Sequence, residues 1–306
     1  SLTIASRTGV FSKLTVGDKI VVSGTTNNNG TKTVASLSSA TKITISEAVT
    51  NETAASTVVA TEKDWTATTG DKLASVSGKA PINYGTRANF MAVALNRGTG
   101  WRQQDYDLIS AIQLLYLVDY ASFYSQSKIG AGITNVTDWL TYNDYNPIVF
   151  TGNSNSIGNA TGNTAGSTSS LTESTKYLSY RGIENWYGHL WKNVDGININ
   201  NNIPYVSNTQ PFVDDTATGY TNLGITLINA DGWQNTLHKQ SRGFLPNSIG
   251  ASSTTKITDY YYQAADWRVV LLGGNVNNNT NAGAFFMYAA NTSGVAYRSI
   301  GCRLAF

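Results

Sequence analysis

Tyr180-Arg181-Gly182-Ile183-Glu184-Asn185-Trp186-Tyr187-Gly188-His189-Leu190-Trp191-Lys192-Asn193-Val194-Asp195-Gly196 is the stretch on which the fold turns. It lies near the start of a segment, Tyr177 to Phe306, that reads as short strands separated by turns and rich in Trp and Tyr. Downstream, the apolar strand Arg268-Val269-Val270-Leu271-Leu272 runs into Gly273-Gly274. Paired glycines there permit a bulge or a close backbone approach. The chain closes on a second apolar strand, Ile300-Gly301-Cys302-Arg303-Leu304-Ala305-Phe306. An unpaired buried charge is costly, so Arg303 is expected to be partly buried and paired, with Asp195 or Glu184 as its partner.

Upstream of the quoted stretch, residues 151 to 170 are a low-complexity run of Gly, Asn, Ser and Thr. Such a run cannot bury a core of its own, and reads as a surface excursion, mobile or resting on a neighbour. Before it comes one helix, about Gln104 to Ser125. Leu108, Ala111, Ile112, Leu115, Val118 and Ser122 recur at helical spacing, and Leu114 and Leu117 broaden the apolar face. Burial on more than one side is the expectation. Asp105 and Asp107 stand where the helix dipole favours negative charge, and Gly130 and Gly132 mark the exit. Residues 63 to 88 read as a connector. Residues 1 to 62 read as a small all-β module for docking or spacing. Its strands are Val16 to Gly24, Thr31 to Ser36, Lys42 to Ser46 and Thr57 to Ala60. Asn27-Asn28-Asn29-Gly30 supplies a hairpin turn, since Asn and Gly tolerate positive φ.

The chain has 306 residues, of which only 13% are charged. That is about half of the charge an average soluble domain carries. Asn, Thr, Ser and Gly supply the polarity, beside 17 Tyr and 7 Trp. This balance suits exterior β proteins whose loops bind through Tyr, Asn, Ser and Gly. Net charge is +2 with no basic stripe, which sets nucleic acid aside. No apolar run reaches the roughly 18 residues of a membrane span, so membrane insertion is not expected. The first residues have neither the basic start nor the apolar core of a signal peptide, and without an initiator Met the chain is expected to be trimmed or incomplete. Cys302 stands alone, so neither an internal disulfide nor a cysteine zinc site is open to it.

Three segments in order carry a resemblance. The first is Thr86-Arg87-Ala88-Asn89-Phe90 and Asn96-Arg97-Gly98-Thr99-Gly100-Trp101, running into the helix. The second is the stretch quoted above. The third is Gly273-Gly274-Asn275, Ala282-Gly283-Ala284-Phe285 and the terminal Gly301-Cys302-Arg303-Leu304-Ala305-Phe306. Over residues 80 to 306 they resemble bacteriophage tail-fibre and other virion proteins with a C-type-lectin-like fold. Related branches are the retroelement-diversified tropism determinants and the formylglycine-generating-enzyme group. The resemblance implies an α+β, C-type-lectin-like domain at 89–306, preceded by the small β module. It implies a virion protein assembled in a bacterial cytoplasm, not an enzyme. Its partners would be a host surface glycan or protein and other virion proteins, and its state a homo-oligomer, a trimer by preference. Arg181, Glu184, Asn185, Trp191, Asp195, Gly273, Gly274, Gly283, Gly301 and Arg303 are then scaffold. In the tropism-determinant branch the variable positions lie in the last segment. The corresponding receptor-binding candidates here are Asn275, Asn277, Asn278, Asn279, Asn281, Tyr288, Asn291 and Tyr297, with Tyr260, Tyr262 and Trp267 before them. Tyr offers rigid contact area and Asn adaptable hydrogen bonds.

No cofactor or metal is expected. The formylglycine chemistry needs a cysteine pair. His189 and His238 lack partners at metal spacing, and His189 is expected to be packed and hydrogen-bonded. Asp214-Asp215 could hold a hard cation but reads first as a solvated turn. No Gly-x-Ser-x-Gly elbow or phosphate loop occurs. An adhesin leads, a structural virion component (capsid decoration or fibre base) is the alternative, and a depolymerase with paired carboxylates comes third.

Overall fold

A computed structural model describes residues 2–3, 11, 14–39, 42–52, 59–62, 68–137, 139, 141–143, 147–165 and 176–306. The chain divides into two compact units, Ser1–Trp65 and Thr66–Phe306. It is mostly sheet with few helices.

In the first unit, β1 (Leu2–Thr3), β2 (Lys19–Ser23), β3 (Gly30–Ser39), β4 (Lys42–Ile45) and β5 (Val59–Glu62) form one sheet in the order β1-β4-β3-β2-β5. The hairpin between β2 and β3 turns where Asn28, Asn29 and Gly30 were expected to turn it. Asn29 Oδ1 accepts from the Thr25 amide, closing the loop on itself. Alternation buries Ile20, Val22, Val34 and Ile43 with Phe11 and Leu14. Of the expected last strand, Thr57 and Val58 lie outside the described residues.

The second unit begins earlier than its expected start at 89. Residues 68 to 88 are part of it rather than a connector. Leu73 is buried and donates its amide to Val93 O. Asn83 bridges to Gly301, and Thr86 caps α1 (Arg87–Leu95) in a reciprocal pair with Asn89. After β6 (Arg102–Gln103) comes α2 (Tyr106–Tyr120), whose N-cap Asp105 accepts from the Leu108 amide at 2.9 Å. Ala121 ends it in the left-handed conformation, and a separate short α3 (Ser125–Ile129) stops at Gly130. The expected single helix to Ser125 is therefore two.

The face that α2 buries also differs from the expected one. Tyr106, Ile109, Gln113 and Tyr116 point inward. Leu114, Leu115 and Val118 are 57%, 39% and 75% exposed. Aromatic rings and an amide hold the core side because they reach further into it. Tyr116 meets Tyr180, Trp186 and Phe285 edge-on or tilted at 5.6 to 6.0 Å. Gln113 donates to Ala284 O at 2.7 Å.

Residues 151–165 of the low-complexity run have defined structure. They hold a 3-10 turn (Asn155–Ile157) and β7 (Gly162–Thr164), which pairs with β8 (Tyr177–Tyr180), itself paired with β9 (Ile183–Glu184). Residues 166–170 lie outside the described residues. Then follow β10 (Trp191–Asn200), β11 (Ile203–Val206), β12 (Thr221–Asn222), β13 (Gly232–Leu237), β14 (Pro246–Ile249), β15 (Tyr260–Gln263), β16 (Trp267–Leu272), β17 (Met287–Ala289), β18 (Ile300–Gly301) and β19 (Leu304–Ala305). The main sheet is curled, like half a barrel, and runs β12-β11-β10-β16-β17-β15-β13-β14, with β18 parallel beside β10. One face carries Val194, Ile197, Val270, Tyr261 and Met287 against Tyr106 and Ile109 of α2. Each such side chain contributes on the order of 1.5–3 kcal/mol by leaving water.

The scaffold residues hold this together in ways residue type alone does not reveal. Gly273 and Gly274 have φ of +85° and +76°; a Cβ on Gly274 would meet the Ala282 Cβ at 2.6 Å. The close approach expected of the pair is present. Arg303 does reach Glu184, but its Nη2 donates to the main-chain oxygens of Glu184 and Asn185 and not to a carboxylate. Asp195, the other expected partner, instead receives Gln103 Nε2 at 3.3 Å and faces Arg87 at 3.9 Å. Burial raises its carboxyl to about 7 although Arg87 opposes this. Arg181 is an exposed residue paired with Asp119, not part of the interior scaffold. Asp214 is engaged with Arg87, which is fully buried and also donates to Ile197 O at 2.6 Å.

Candidate functional site

The site grows from one alternation. In β15, Tyr261 is fully buried in the core, so Tyr260 and Tyr262 stand on the opposite face of the sheet. Strand register extends that face. Tyr260 lies opposite Trp233 of β13, and Tyr262 opposite Tyr288 of β17. Cross-strand neighbours of this kind stand close enough for their rings to touch.

They do so in a continuous row. Centroid separations are 4.9 Å for Trp233–Tyr260, 4.6 Å for Tyr260–Tyr262 and 5.3 Å for Tyr262–Tyr288. Tyr288 lies 5.1 Å from Trp191, and Trp191 lies 5.3 Å from Tyr142. Tyr142 then stacks on Tyr297 at 5.6 Å and meets Trp139 at 5.4 Å. Trp191 is buried and forms the floor. Tyr142 is 45% exposed, and the remaining rings are half-buried. The rings thus stay accessible while their neighbours fix their orientation.

Polar groups border the row. Asn281 donates to the Tyr262 hydroxyl at 3.1 Å. Burial raises the pKa of the Tyr262 and Tyr288 hydroxyls, so both remain protonated donors at neutral pH. Behind Asn281, a short 3-10 turn (Asn279–Asn281) presents exposed Asn277 and Asn279.

The eleven binding candidates divide accordingly. Tyr260, Tyr262, Tyr288 and Tyr297 belong to the row, and Asn281 touches it. Asn277 and Asn279 are exposed on the adjoining turn. Asn278 is half-buried, with its Oδ1 accepting the Asn275 amide at 2.7 Å. Two candidates are corrected. Asn275 is fully buried, where its side-chain oxygen takes the Asn277 amide and shapes the turn. Asn291 is buried, and its main-chain oxygen accepts from Val269. Trp267 lies elsewhere, half-buried against Tyr205. Sequence reasoning missed Trp139, Tyr142 and Trp233, and placed Trp191 only in the scaffold. Trp233 carried a signal, since it follows Gly232 in a strand-like run. Tyr142 and Trp139 lie outside the named strands and no periodicity marks them.

The carboxylates weighed as a catalytic pair, and His189, are structurally engaged. Asp107 makes a bidentate pair with Arg242, and Asp105 caps α2 and pairs with Arg102. Glu184 accepts from the amides of Gly152 and Ser154 and from the Ser154 hydroxyl. His189 Nε2 accepts the Val149 amide at 3.0 Å, the packed role expected of it. Among the described residues no group of three His, Cys, Asp or Glu side chains is placed to hold a metal ion.

No protein-family model matches the chain, and no curated protein matches it.

Proposed function

We propose that this chain is a bacteriophage virion adhesin that grips a host surface glycan along the aromatic row of its second unit. The observation that carries this is the row itself: accessible rings roughly one sugar unit apart, on a sheet face whose reverse is core. Aromatic rings combine an apolar face with a polar edge. The C–H face of a pyranose packs on such rings, and its hydroxyls meet Tyr hydroxyls and Asn amides. A rigid sheet fixes the rings and loops complete the contact, the usual division between scaffold and binding surface. The three-segment resemblance supports the C-type-lectin-like domain, the virion setting and assembly in a bacterial cytoplasm. Binding, not catalysis, is the activity proposed.

The adhesin acts as a homotrimer in this proposal. Ala111, Leu115 and Val118 follow the heptad spacing of a self-complementary helix seam, and on α2 all three face outward. Its occupants are the same helix of the other two copies. Three weak sites then act together by avidity.

The test is binding of the purified full chain to intact bacterial cells and to a surface-glycan panel. Tyr142→Ala and Tyr262→Ala are each expected to weaken binding by roughly tenfold or more, while circular dichroism stays unchanged. Retained affinity in both folded variants would overturn the aromatic site. Absence of binding by the wild type would favour the alternative, a structural component that contacts other virion proteins.

A further inference from the structure

A second site lies on the same unit, in a cavity of about 550 Å³ that none of the row's rings lines. Lys192 and Arg303 both border it. The Lys192 side chain sits in a residue only 6% exposed, and its ammonium donates to Gly188 O at 2.6 Å and Leu190 O at 2.8 Å. Arg303 donates through Nη2 to the Glu184 and Asn185 main-chain oxygens, and its Nε is buried with no partner. Both cations therefore meet carbonyl dipoles, and among the described residues neither has a carboxylate within ion-pair distance. Glu184 is the one acid on the cavity wall, and its oxygens are taken by the Gly152 and Ser154 donors.

Two neighbouring buried cations facing the single carboxylate of Glu184, which attracts Arg303, leave one positive charge unbalanced, and that is unfavourable. They repel each other, and burial together with Arg303 pushes the Lys192 pKa well down. An oxyanion between them would relieve both costs and satisfy the orphan Nε through a charge-assisted hydrogen bond. The volume lies within the roughly 300–1,000 Å³ of small-molecule sites, and a bare inorganic anion would leave most of it unfilled. Ser77, Asn155 and Asn159 also line the cavity and offer hydroxyl and amide groups to a polyhydroxylated ligand.

We propose that this cavity binds an acidic monosaccharide unit, a sugar carrying a carboxylate, with its anion held between Lys192 and Arg303. The site is independent of the aromatic row, so failure of either leaves the other standing.

Calorimetric titration of the full chain with glucuronate, glucose and inorganic phosphate tests it. Glucuronate is expected to bind saturably, and both glucose and phosphate about 30-fold more weakly or not at all. Lys192→Met should weaken glucuronate by at least about 30-fold, since one of the two charges is lost. Asn155 is exposed, so Asn155→Trp tests occupancy by blocking the cavity from its rim even if the lysine variant does not fold. Glucose binding as tightly as glucuronate would overturn the role of the cations. Equal binding of phosphate would overturn the sugar. No glucuronate binding, or undiminished binding by folded Asn155→Trp, would overturn the site.

Discussion

Asp259 shows how much a single residue can carry without announcing itself in the sequence. It is fully enclosed, accepts the Phe285 amide at 2.7 Å, and lies where any Cβ on Gly283 would collide with its carboxylate. Gly283 was legible as scaffold; the acid that requires it was not, because the two are distant in sequence. Burial raises the Asp259 carboxyl from 3.8 to about 8, the Phe285 amide opposing this. Between those values the folded state holds a proton that the unfolded chain releases. Its stabilising contribution is complete below about pH 4 and falls as pH rises to about 8, by at most about 1.4 kcal/mol per pH unit. Asp195, raised to about 7, acts in the same direction. Urea unfolding at pH 5 and pH 8 should therefore show the wild type losing stability with rising pH and Asp259→Asn losing distinctly less. Equal losses would show that Asp259 does not hold the proton. The binding candidates teach the same lesson. Tyr260 and Tyr262 were named on the resemblance alone; the burial of Tyr261 between them puts them on the other face of the sheet. The burial of Asn275 was not legible, because an Asn that builds a turn and an Asn that presents a surface have the same local sequence.

At the scale of elements, position was more legible than orientation. The start of α2 beside Asp105 follows from the dipole's preference for acids there, and the hairpin at Asn28–Gly30 from its turn residues. The buried face of α2 did not follow, because counting Leu and Val as core ignores what the neighbouring elements offer. The aromatic cluster around Tyr116 and the free carbonyl of Ala284 select Tyr116 and Gln113 for the inside. Gln113→Leu leaves that carbonyl without its donor and is expected to cost about 1–3 kcal/mol. Leu114→Gln, on the exposed side, should change stability by no more than about 0.5 kcal/mol. Chemical denaturation of the two variants compares them directly; a larger cost for Leu114→Gln would mean the helix is rotated from the orientation described. Residues 68 to 88 and 151 to 165 escaped recognition as parts of the fold for a related reason. Their order comes from bonds donated to and accepted from distant partners, Val93 for Leu73 and Glu184 for Gly152 and Ser154, which composition does not display.

For the whole molecule, the exposed stripe on α2 is the surface through which the proposed trimer would form. Val118 is 75% exposed and Leu115 39%, on a helix whose other face is committed to the core. Scattered exposed apolar residues are ordinary, but a contiguous helical stripe marks an interaction surface. Val118→Glu places a charge in the seam and leaves the intramolecular core untouched. Sedimentation at micromolar concentration is expected to show a trimer for the wild type and a monomer for the variant, both with the same far-ultraviolet circular dichroism. Avidity then falls with the assembly: the variant should keep the wild type's affinity for a soluble monovalent sugar and lose retention on intact cells by about 100-fold or more. A wild type that sediments as a monomer would remove the trimer, and with it the reason for α2 to carry apolar residues outward. A variant that is monomeric yet still clings to cells would leave the aromatic row strong enough to work alone.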